Sequence, residues 1–72
     1  MISPNECVNY LDKYVKITMV NNRTWFTMII GIKYDYVIGF SDKEYKYFFA
    51  KIKHIEEMTI EEKRRFQAKY VI

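Results

Sequence analysis

Residues 44 to 54 read EYKYFFAKIKH and mix rings with cations. Lys46, Lys51 and Lys53 are interleaved with Tyr45, Tyr47, Phe48 and Phe49, and His54 follows directly. Single-stranded nucleic acid is held by rings that stack on bases and by cations that follow the backbone. The candidate nucleic-acid-binding residues are therefore Lys46, Lys51, Lys53, Tyr45, Tyr47 and His54. The competing reading is structural. In a strand one of two sets, Tyr45/Tyr47/Phe49 or Lys46/Phe48, points into the core. Tyr47, Phe48 and Phe49 also lie where an exposed strand edge could recruit a second copy, so they are the candidate oligomer interface.

Other chemistry is sparse. Nucleophilic catalysis needs a nucleophile, a base and an orienting group. Cys7 falls in an apolar helical context, which suits an inert buried thiol. His54 sits near the end of a strand, and Asp35 and Asp42 are turn residues. One Cys and one His cannot build a zinc site or an internal disulfide. Gly31 and Gly39 lie inside apolar strands, so no Gly-rich phosphate loop exists. The expectation is a binding protein that needs no cofactor or metal, not an enzyme.

Charge points the same way. Residues 13 to 55 carry eight bases against Asp35, Asp42 and Glu44, whereas residues 56 to 72 carry four acids and four bases. A basic body attracts polyanions at long range, although the same charge also serves solubility. Seven Tyr, five Phe and one Trp exceed what 72 residues readily bury, which favours a partner surface. The first residues lack a basic stretch leading into an apolar run, and the uncharged run Thr24 to Ile32 is too short to span a bilayer. A cytoplasmic protein without membrane contact is expected.

These side chains need a scaffold, and the periodicity supplies one domain over 1–72. SPNE opens a helix over about 4–12, with Ser3 as cap, Pro4 at the first position and Glu6 reaching back. Alternation then sets in. YVKITM places Val15, Ile17 and Met19 on one face, and NNR is a turn. TWFTMIIGIKY is a long strand, apolar on both faces, with Gly31 marking a bend. YVIGF, YKYFFA and KIKHI complete five strands over about 14–55. Thr59 and Glu62 form a capping box for a second helix over about 59–70, with Phe66 and Tyr70 on its apolar edge. The expected fold class is mainly β: a five-stranded, strongly bent small barrel with an N-terminal and a C-terminal helix. The outer face of the long strand is expected under the N-terminal helix or against a neighbouring molecule.

The order resembles the Sm-like small barrel of the Sm and LSm proteins and bacterial Hfq, over roughly residues 5 to 55. VKITMVNNRTWF is similar to the family's first hairpin. IGIKYDYVIGF is similar to the end of its first motif, with Asp35 at the turn aspartate. YFFAKIKHI has the shape of the second motif, with Ile52 and Ile55 as its closing apolar pair. Gly39 stands where the family has Asn, and FFA where Sm and LSm proteins have Arg-Gly. Lys53–His54 is displaced by about one residue from the comparable step in Hfq. The resemblance implies a barrel that binds RNA and assembles through its edge strands, but it transfers no RNA contact residue by residue. Two functions follow: an oligomeric barrel binding RNA or single-stranded DNA through Lys and Tyr, or a protein-interaction barrel acting as a small inhibitor or adaptor.

Overall fold

The computed structural model describes residues 2–70. The chain opens with α1, Pro4–Cys7, where the Ser3 hydroxyl accepts the Glu6 N–H at 3.3 Å. The helix ends sooner than its periodicity suggests, continuing only as a 3-10 turn over Val8–Tyr10. The reason is the entry into the sheet. Asp12 adopts a left-handed conformation, φ 63°, and donates its N–H to the Ile29 carbonyl at 2.8 Å.

Five strands follow: β1 Tyr14–Met19, β2 Thr24–Ile32, β3 Tyr36–Phe40, β4 Glu44–Phe48 and β5 Ile52–Glu57. They form one sheet in the order β4-β3-β2-β1-β5, with every neighbouring pair antiparallel. β4 and β5 are its two edges, and no ladder joins them, so the sheet is open where the sequence suggests a closed barrel.

β2 explains its own composition. Residues 24–28 pair with β1 and residues 28–32 with β3, so one strand serves both halves of the sheet. Between Ile29 and Gly31 the register slips, which makes Ile30 the extra residue of a bulge. A slip of one residue exchanges the faces. Ile29 therefore points into the core opposite Gly39, and Ile32 does so opposite Val37, although the two are an odd number of residues apart. For residues 29 to 32, an apolar pattern on both faces is what a bulged strand with one buried side requires.

The core lies on the inner face and gathers Val15, Ile17, Ile29, Val37, Ile52 and Ile55, closed by Ile2 and Cys7 from the N-terminal segment. Tyr47 and Phe49 join it at 8% and 5% exposure. Within β4, Tyr45 and Tyr47 share the inner face, but only Tyr47 is buried there. The N-terminal helix thus plugs the inner core rather than covering the outer face. Part of that outer face is covered by α2, Ile60–Tyr70. Its capping box forms as expected, with Thr59 N–H on Glu62 at 2.9 Å and Glu62 N–H on the Thr59 hydroxyl at 3.1 Å. α2 contributes one buried side chain, Phe66, whose ring meets Tyr14 of β1 edge-on at 5.7 Å. Lys16, also on the outer face of β1, reaches Glu62 at 3.0 Å and Glu56 at 3.3 Å. Among the described residues no helix is long and apolar enough to cross a membrane.

Candidate nucleic-acid interface

A cleft of about 830 Å³ opens between α2, the start of β2 and the β3–β4 hairpin. Each wall follows from the sheet. β3 begins to pair with β2 only at Met28, so the first residues of β2 run on beyond it. Trp25 and Phe26 project there from opposite faces and stay 45% and 41% exposed. The hairpin contributes Tyr45 and Lys46, and α2 contributes Arg65, Lys69 and Tyr70. Rings and cations thus face one space.

Its electrostatics lean positive. Lys46 lies over the Tyr36 ring at 5.1 Å and Lys69 over the Tyr70 ring at 5.2 Å. Neither makes an ion pair among the described residues. Arg65 pairs with Glu61, its helical neighbour, at 3.6 Å. The acids of the cleft are engaged. Glu62 caps α2 and holds Lys16; the Thr59 backbone N–H is the chief reason its carboxyl is pulled below its ordinary value. Asp42 accepts the Tyr45 hydroxyl at 3.2 Å and the Ser41 hydroxyl at 3.1 Å. The Tyr45 bond is the leading cause that lowers its carboxyl, and it raises the Tyr45 phenol in turn. The bond also fixes the Tyr45 ring at the cleft wall.

The six residues read from the sequence do not converge. Tyr45 and Lys46 line the cleft. Tyr47 also reaches its lining, but its ring is core and burial pushes its phenol up. Lys51, Lys53 and His54 belong to the opposite edge. Lys53 Nζ donates to Asn22 at 2.9 Å, and His54 Nε2 lies 3.7 Å from Glu56. Lys53 and His54 border a smaller cleft of about 370 Å³ beside Glu6 and Tyr10. Of the proposed interface residues, Phe48 is 44% exposed, whereas Phe49 packs inside with Tyr47. The sequence reading omitted Trp25, Phe26, Arg65 and Lys69. One signal was present: Arg65/Lys69 and Phe66/Tyr70 are both i, i+4 pairs, which puts bases and rings on adjacent edges of one helix.

Catalytic groupings are weak. Cys7 is fully buried and burial raises its thiol, so it stays protonated. Among the described residues no group of His, Cys, Asp or Glu is arranged to hold a metal ion. Comparison with protein-family models, curated proteins and solved structures finds no match to this chain.

Proposed function

We propose that this protein is a small Sm-like barrel that binds RNA or single-stranded DNA in the cleft under α2. The observation that carries this reading is the convergence of Trp25, Phe26 and Tyr45 with Lys46, Arg65 and Lys69 on one open space. The bulged β2, which serves both halves of the sheet, supports the barrel class. The cleft has the two parts that single-strand binding uses, stacking rings and cations for phosphate. The expected result is binding of short single-stranded oligonucleotides at about 50 mM salt, weakening as salt rises through counterion release. Replacing Lys46, Arg65 and Lys69 with Gln should flatten that salt slope. Tyr45→Ala should cost on the order of 1–3 kcal/mol of binding, one lost stack. Tyr47→Ala should instead lower the melting temperature, because that ring is core. Absence of oligonucleotide binding in fluorescence anisotropy at that salt would remove this reading.

A second reading, a protein-interaction barrel or homo-oligomer, is favoured by the uncovered part of the outer face. The bulge turns Ile30 outward, 37% exposed, and Phe48 is 44% exposed beside Tyr36 at 5.3 Å. Soluble monomers keep such patches small. If this face pairs copies, light scattering at micromolar concentration will give a mass above the 8.8 kDa monomer. Ile30→Lys with Phe48→Lys will return it to the monomer. A wild-type chain that is monomeric across that range argues against self-assembly.

A further inference from the structure

The main chain of β2 inside the cleft has a directional feature. Ile29 donates its N–H to the Lys13 carbonyl at 3.1 Å and accepts the Asp12 N–H at 2.8 Å, and the Arg23 carbonyl accepts the Met19 N–H at 2.8 Å. In an antiparallel ladder the residues of a strand turn both polar groups alternately to one neighbour and then the other. The register between β1 and β2 is regular over Thr24 to Met28. Trp25 and Thr27 therefore face β1, and Thr24 and Phe26 face away from it. On that side Met28 meets Phe40, but no strand lies opposite Thr24 or Phe26. No loop or side chain among the described residues bonds to them there. Their N–H and C=O groups open into the cleft.

We propose that this free edge reads one base of the bound strand, by hydrogen bonds from the Phe26 and Thr24 main chain to the base edge. The inference rests on the nucleic-acid reading of the cleft and names the contact within it. Every nucleobase presents a donor next to an acceptor on one edge, which suits an N–H beside a C=O. A phosphate offers acceptors only and leaves the carbonyls unmet. A base bonded in this way extends the plane of the sheet. Trp25 then projects on one side of that plane and Phe26 on the other, so both faces of the base have a ring nearby. Lys46, Arg65 and Lys69 border the same space for the flanking phosphates. Strand addition by a peptide is disfavoured by length. The open run is closed at one end by the Met28–Phe40 pair and at the other by the turn at Asn22, φ 68°.

The test uses the whole chain, labelled with nitrogen-15. In the free protein the Thr24 and Phe26 amides should exchange with solvent at least about tenfold faster than those of Trp25 and Thr27, which are bonded to β1. Titration with a uridine pentanucleotide should protect the Phe26 amide at least about tenfold. The matching abasic pentamer, the same ribose-phosphate chain without bases, should bind at least about tenfold more weakly and leave that amide unprotected. Equal affinity of the two pentamers, with Phe26 unprotected by either, overturns base reading while leaving phosphate binding in the cleft intact. Failure of both to bind overturns the cleft reading and this inference together. Protection of Phe26 by an extended acidic peptide but by no oligonucleotide overturns it in favour of strand addition.

Discussion

Gly39→Val is expected to destabilise the fold by about 3 kcal/mol, at the upper end of what overpacking costs, whereas Gly31→Val should cost about 1 kcal/mol or less. Gly39 is buried on β3 between β2 and β4. A Cβ there would collide with the Thr27 hydroxyl and stand 2.8 Å from both the Thr27 methyl and the Tyr47 ring. Neither neighbour can withdraw. Thr27 is fully buried and donates its hydroxyl to the Phe40 carbonyl at 3.2 Å, and Tyr47 is wedged into the core. At Gly31 a Cβ would meet only the Ile38 side chain, at 3.4 Å, and the backbone has no positive φ. Domains of this size have only about 4–10 kcal/mol to lose, so the contrast should be plain in urea denaturation. Thr27→Ala in a Gly39→Ala background should recover part of the loss, since it removes the colliding hydroxyl. If Gly31→Val proves the costlier change, the register of β2 and β3 described above is wrong.

That pair of glycines shows where a sequence reading succeeds and where it stops. The long strand with Gly31 inside it is legible as a bent element, and a register slip does occur beside that residue. But the glycine that is sterically required is Gly39, because the requirement comes from Thr27 and Tyr47, which approach it across two ladders. Local signals were read well for the same reason that such contacts were not. Both cap motifs lie within four residues of chain, so Thr59/Glu62 forms its reciprocal pair as expected and Ser3 accepts the Glu6 N–H, with the Glu6 carboxylate meeting the Ser3 hydroxyl. Alternation in β4 separates Tyr45 and Tyr47 from Lys46 but cannot say which set is buried, since rings and lysine stems both cover apolar surface. Tyr45 and Tyr47 even share a face. Yet Tyr45, opposite Gly39, stays exposed at the cleft wall, whereas Tyr47, opposite Val37, is core. The positive wall of the cleft was hidden more deeply, because Arg65 and Lys69 join it only through the docking of α2.

Docking of α2 hangs on few groups, and Phe66→Ala should release it. The Phe66 ring is 3% exposed, held between Tyr14 at 5.7 Å and Tyr70 at 4.8 Å. Truncating such a ring costs about 3–5 kcal/mol. The sheet should survive, since Phe66 stands outside the cluster formed by Ile17, Ile29 and Ile52. A free helix of eleven residues is marginal in water, so α2 should lose helical circular dichroism and amide protection while the strand amides keep theirs. The Glu62 carboxylate, held first by the Thr59 N–H and then by Lys16, adds a pH dependence. The Glu62 carboxyl titrates below its ordinary value in the folded chain, so its contribution is present above the ordinary carboxylate range and is lost as pH falls through the lowered value. Acid should therefore loosen α2 in the wild type as well, before the apolar core of the sheet responds. Binding should follow the helix. With α2 released, Arg65 and Lys69 no longer border the cleft, and oligonucleotide affinity should drop together with the salt slope, while Phe66→Leu keeps most of both. A Phe66→Ala chain whose α2 amides stay as protected as in the wild type would show that the helix is held by something other than this ring.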